Sequence, residues 1–168
     1  ALNTYSLKMK TIMETIQTSP GTVFVYTQFT LLEGVQIFAK VLEANGYEQF
    51  RPTTNNRSSQ SEGLRYALYT GNITFEERND IIEVFNSPEN KTGDLIRVLI
   101  ASSAGAEGLD LKNIRQVHIM EPYWNEVKMD QVVGRAVRRE SHFDLPRRER
   151  NVEVYRYLAT MTVPQQQR

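Results

Sequence analysis

The chain contains no cysteine, so neither a disulfide framework nor a thiolate metal site is available to it, and its order must come from packing. No apolar run approaches the roughly 20 residues needed to cross a bilayer, which excludes a membrane-spanning helix and a membrane partner of that kind. Charge of one sign is also missing. Lys plus Arg and Asp plus Glu both total 20 in 168 residues, so bulk electrostatics leave no polyanion footprint and any basic surface has to be local, with 138–150 the candidate. No signal peptide opens the chain, and an intracellular location is expected. Two motifs are absent as well: there is no G-x-x-x-x-G-K-[ST] phosphate loop and no D-E-x-[HD] acidic quartet. These residues therefore lack the usual means of cradling nucleotide phosphates or of holding a metal.

What is present is ordinary globular material. Hydrophobic residues make up 40% and charged residues 24% of the chain, enough for a core, and the length fits a single domain over 1–168. After Ser6 as N-cap, Leu7, Ile12, Met13 and Ile16 recur near helical spacing until Ser19-Pro20-Gly21, which predicts an opening helix over 5–18. Thr22 to Tyr26 is a β-branched and aromatic run, hence a strand. Beyond the polar turn Thr27-Gln28-Phe29, Leu31, Leu32, Val35, Phe38, Ala39 and Leu42 share one face of a helix ending at Asn45-Gly46. Tyr47 to Phe50 suggests a short strand, 52–63 is a polar tract that reads as a flexible loop, and Arg65 to Tyr69 returns to strand character. Thr74-Phe75-Glu76-Glu77 has the form of a capping box ahead of Ile81, Ile82, Val84 and Phe85. Asn86 to Asp94 is a turn-rich connector, Ser141 to Arg150 a polar loop, and Val152 to Leu158 alternates into a last strand. Alternating strands and helices with short loops predict an α/β fold, a three-layer sandwich on a mainly parallel, right-handed sheet.

The residues that carry chemistry concentrate between Arg97 and Arg138. Val98-Leu99-Ile100-Ala101 is short and apolar enough for a buried strand, and it opens into the small-residue loop from Ser102 to Gly108. Gly105 and Gly108 permit close backbone approach and positive φ, so this loop can aim amides and the Ser102 hydroxyl at a phosphate. A second apolar run, Val117-His118-Ile119-Met120, is stopped by Pro122. Beyond it, Gln131, Arg135 and Arg138 recur at spacings of four and three, which places them on one helix face. With both strands parallel, that face is expected to line the crevice outside their carboxyl ends. On its own an R-x-x-R pair is more often a solvated helix surface, and Trp124 beside Pro122 and Tyr123 reads as packing.

In combination the pattern is specific. Ser102-x-x-Gly105-x-x-Gly108-Leu109-Asp110, followed about twenty residues later by Gln131-x-x-Gly134-Arg135-x-x-Arg138, resembles motifs V and VI of the superfamily 2 helicases, in their second RecA-like domain. The segments YTGNITFEERNDIIEVFNSPEN, AEGLDL and QVVGRAVRRESH look most like the NTPases and early-transcription-factor helicases of large DNA viruses, and the likeness runs from about Tyr5 to about Tyr157. The resemblance implies the C-terminal motor domain of an ATP-dependent nucleic-acid helicase or translocase, viral, linked to transcription, and located in cytoplasm or virion. It implies arginine fingers at Arg135 and Arg138, with Gln131 on the phosphate end or the attacking water. It implies nucleotide contacts at Gly108 and Asp110, and nucleic-acid backbone contacts at Thr27, Gln28, Ser102 and Gly105. For Asp110 the ribose, the arginines and a plain turn role all stay open, and Thr27-Gln28 fits an ordinary turn equally well. ATP and magnesium would be held mainly by an N-terminal RecA-like domain of the same protein, with DNA or RNA as the other partner and the isolated domain monomeric. The opening at Ala1, without Met, is what a fragment of a larger motor would have. Two alternatives remain: a remodeller-like translocase that moves on duplex without unwinding it, and a catalytically idle RecA-like binding module. Because the phosphate cradle is expected elsewhere, the isolated domain should bind ATP weakly or not at all and hydrolyse none. Calorimetric titration with ATP and magnesium checks this, and tight binding or turnover above buffer background would overturn the half-motor reading.

Overall fold

The computed structural model describes residues 7–29, 34–52, 63–121, 126–138 and 140–158, and of Arg135 the backbone alone. The predicted cap Ser6, the helix positions Leu31 and Leu32, residues 53–62 of the predicted loop and Trp124 lie outside the described residues. Within them the chain runs α1 (Leu7–Gln17), β1 (Thr22–Thr27), α2 (Val35–Ala44), β2 (Glu48–Gln49), β3 (Arg65–Tyr69), α3 (Phe75–Phe85), β4 (Val98–Ser102), β5 (Ile114–Ile119), α4 (Glu126–Ala136) and β6 (Glu153–Arg156). The strands form one sheet in the order β2-β3-β4-β1-β5-β6, and every neighbouring pair is parallel.

Parallel strands need helical or looped crossovers, and these cover both faces of the sheet, so its centre is dry on both sides. Every residue of β1, β4 and β5 is buried, which is why the first two read as unbroken apolar runs rather than as alternation. Along β1, Val23 and Val25 pack with Ile12 and Ile16 of α1 and Phe38 and Leu42 of α2. Phe24 and Tyr26 face the other way, onto Ile81 and Phe85 of α3 and Met129 and Val132 of α4. The result is the three-layer α/β/α sandwich. Local chemistry agrees with it at α3, where the Thr74 hydroxyl accepts from the Glu77 amide at 3.2 Å and the Glu77 carboxylate accepts from the Thr74 amide at 2.8 Å. That reciprocal cap satisfies two donors the helix start would otherwise leave open.

The fifth strand differs from expectation. It begins at Ile114, three residues ahead of the apolar run, and takes Arg115, Gln116 and His118 into the buried sheet. Each is satisfied there: Arg115 donates from Nη2 to Asn151 Oδ1 at 2.9 Å and from Nε to the Asn151 carbonyl at 3.2 Å. The His118 ring lies 2.9 Å through Nε2 from Gln116 Oε1 and 2.8 Å through Nδ1 from the Tyr157 hydroxyl, stacked on Tyr155 with centroids 5.0 Å apart. Burial disfavours charge on both groups, lifting Tyr157 to about 12 and favouring an uncharged imidazole. The ring is therefore neutral, and burial pulls its pKa down from 6.5 to about 4. Between those values the unfolded chain binds a proton that the fold refuses, so stability falls as pH drops from 6.5 to about 4, by up to about 3 kcal/mol. Urea denaturation at a series of pH values from 7 to 4 should show this slope, and His118→Gln should flatten it.

Candidate functional site

Because the sheet is parallel, β4, β1 and β5 deliver their exit loops to one edge, and the predicted track residues meet there. Thr27 and Ser102 are register partners at the ends of β1 and β4, which places them side by side. Both are fully buried. The Ser102 carbonyl accepts from the amides of Gly105 and Ala106 at 3.0 and 2.9 Å, closing the loop into a tight turn, and Gly105 N–H also reaches the Ser102 hydroxyl at 3.4 Å. Next to them Gln28 is half-buried, with its carbonyl 3.5 Å from the Ser103 hydroxyl. The donors of this edge are largely engaged inside the protein.

One residue that the sequence reading passed over organises that engagement. A single carboxylate oxygen of Glu121, just past β5, accepts from the Thr27 hydroxyl at 2.8 Å and from the Gln28 amide at 3.0 Å, while the Glu121 carbonyl accepts from Gln28 Nε2 at 3.4 Å. A carboxylate directly before Pro122, at the exit of a buried strand, was the available signal. Arg78 was passed over as well. From α3 its Nη2 donates to the carbonyls of Thr70 and Gly71, both at 3.1 Å, and its guanidinium lies 5.8 Å from the Tyr69 ring centroid. It pins the exit of β3 beside Gly105.

Gly105 is held by sterics: a Cβ there would stand 2.2 Å from the Tyr69 carbonyl oxygen. Gly108 has φ 79°, a region that side chains disfavour. Between them and α4 is a depression of about 90 Å³ lined by Phe24, Tyr26, Ser103, Glu107, Lys128 and Gln131, among others. Gln131 thus lies close to the 103–109 loop.

Arg138 does not share that position. Its carbonyl accepts from the Ser141 amide, whose own carbonyl accepts from Asn113, immediately ahead of β5. α4 runs back against the strand direction and ends at Ala136, so Arg138 lies two residues past the helix rather than on its face. The expectation that the whole polar face lines the carboxyl-edge crevice is therefore corrected: Gln131 lines the depression, and Arg138 lies toward the amino side. Arg138 Nη1 is 3.4 Å from Asp110 Oδ2, with both side chains more than half exposed. Such a pair contributes under about 1 kcal/mol, and of the roles open to Asp110 it is the arginine contact that forms here. The Arg135 side chain lies outside the described residues.

Residues 7–140 match the family described as helicase conserved C-terminal domain. The chain belongs to that family. It is 37% identical over 185 residues to a termination factor NPH-I homolog of African swine fever virus (isolate Pig/Kenya/KEN-50/1950), covering 93% of this chain and 26% of that protein. A putative ATP-dependent RNA helicase of Acanthamoeba polyphaga mimivirus is 38% identical over 152 residues, 90% of this chain and 18% of the relative. The chain thus spans about a quarter or less of the length of these curated relatives. Among solved structures, the C-terminal part of the Fun30 ATPase domain matches with a TM-score of 0.64 at 18% identity, over 90% of this chain and 40% of that one. The fold is RecA-like, as in other superfamily 2 helicase C-terminal domains.

The glycines of the two motifs separate by environment. Gly105→Ala drives a Cβ into backbone and should destabilise the domain by about 2 kcal/mol or more. Gly134 is exposed in α4 with no atom near its missing Cβ among the described residues, so Gly134→Ala should stabilise the domain by up to about 1 kcal/mol. Urea denaturation of the two variants beside the parent chain checks both signs.

Proposed function

We propose that this chain is the C-terminal motor domain of a nucleic-acid helicase or translocase driven by ATP, viral and linked to transcription. The termination-factor name of the African swine fever virus relative supports the link to transcription, and the ATP-dependent helicase name of the mimivirus relative supports the fuel. The observation that carries the reading is the lie of α4 against the loop after β4. It puts Gln131 on the rim of a depression beside Glu107 and Ser103, with Arg138 two residues past the helix, ion-paired to an exposed Asp110.

In this reading the principal nucleotide site belongs to an N-terminal RecA-like domain of the same protein, and α4 faces it across a cleft. Arg135 and Arg138 would reach the transferring phosphoryl group, where negative charge spreads over the oxygens. A guanidinium stays charged at any working pH and offers a planar fork of donors, which suits that charge better than an ammonium. Asp110 would hold Arg138 extended until the phosphate replaces it. Gln131 and Gly108 would complete the nucleotide side, and Thr27, Gln28, Ser102 and Gly105 would form the nucleic-acid track at the carboxyl edge. Magnesium, with ATP, is assigned mainly to that N-terminal domain in this reading.

Arg135→Lys and Arg138→Lys in the full-length protein should each lower turnover by about 10³, equivalent to roughly 4 kcal/mol of transition-state stabilisation, while nucleic-acid affinity changes little. Steady-state ATPase assays beside strand-binding titrations test this. Near-parental turnover in both variants would remove the arginine-finger assignment.

A further inference from the structure

We infer that Glu121 is an internal stand-in for a nucleic-acid phosphate: its carboxylate occupies the donors of the track when the strand is absent and competes with the strand for them. The inference rests on the track reading above and goes beyond it. Thr27 is fully buried, and its hydroxyl proton is directed at Glu121 Oε2, the same oxygen that takes the Gln28 amide. The Phe29 amide in turn reaches the Thr27 hydroxyl oxygen at 3.3 Å, so the turn after β1 is wound around one anionic oxygen. Gly34 closes the other side, since a Cβ there would stand 2.6 Å from Thr27 Oγ1.

A hydroxyl and a backbone amide converging on one anionic oxygen is the donor set that a backbone phosphate would use. Carboxylate and phosphate carry the same charge sign and cannot share those donors, so strand binding here requires Glu121 to withdraw. The converse matters to a motor. The fully buried Thr27 hydroxyl would be left unsatisfied each time a phosphate departed, and returning the carboxylate removes that penalty. Glu121 thereby weakens the grip and eases release, acting as a positioning residue through Thr27 and Gln28. A plain buttress for the turn would do the opposite, because removing its charge could only loosen the track.

The test is Glu121→Gln in the full-length protein, with Glu121→Asp beside it. Each is titrated with a labelled single-stranded oligonucleotide, DNA and RNA in parallel, at low and high salt, with dissociation followed by stopped flow. The glutamine keeps a neutral acceptor in place but loses the charge. Its binding should tighten about five- to tenfold at low salt, with slower dissociation, less gain at high salt and a lower nucleic-acid concentration for half-maximal ATPase. The aspartate keeps the charge and should bind no tighter than the parent. Glutamine binding that is unchanged or weaker, in protein whose melting temperature matches the parent, overturns the stand-in and leaves the track reading intact. A parent protein that binds neither strand overturns both.

Discussion

Parallel strands cannot be joined by a tight turn, so each strand of this sheet must send its chain back across a face before the next can begin. The rest of the molecule follows from that constraint. Both faces have to be covered, which makes the central strands apolar on both sides, and every exit loop has to open on the same edge. Residues far apart in the chain, at 27, 102 and 121, become neighbours because the strands before them point the same way. Helices returning along the faces carry their own side chains away from that edge. The same constraint therefore splits the motif residues into two groups: a loop cluster at the carboxyl edge and a helix face that descends from it.

The price of burying both faces is highest at β5, where three polar side chains enter the sheet. They are accommodated by pairing with one another and with residues 151 to 157. Arg115 is answered by Asn151, and His118 by Gln116 and Tyr157. The network couples the outermost strand to the interior through polar contacts rather than apolar packing alone. It also gives the edge strand β6, which is otherwise mostly exposed, a chemical reason to take one register.

Much of this was legible in the sequence because the signals were local. Continuous apolar runs marked β1 and β4, and the Thr74 to Glu77 box marked the start of α3. What was not legible depended on contacts between distant positions. Arg115 stood outside the expected strand because its partner Asn151 lies 36 residues away. The partner of Thr27 was not legible because Glu121, which takes its proton, is 94 positions away. Arg138 was expected on one helix face with Gln131 at the carboxyl edge, but spacing does not fix where a helix stops, and α4 ends at Ala136.

The order β2-β3-β4-β1-β5-β6 also puts the first strand to be synthesised at the centre of the sheet. Its partners β4 and β5 follow about seventy or more residues later, so at roughly 5–20 residues per second the Val23-Phe24-Val25-Tyr26 segment waits several seconds without a neighbour. Most of the sheet's contacts close large loops, which favours slow folding. During that wait the Val23 and Val25 face of β1 can be covered by α1 and α2, and its Phe24 and Tyr26 face by α3, which is also synthesised before β4. Helices made before the partner strands then work as a temporary sheath, before they become the walls of the finished sandwich.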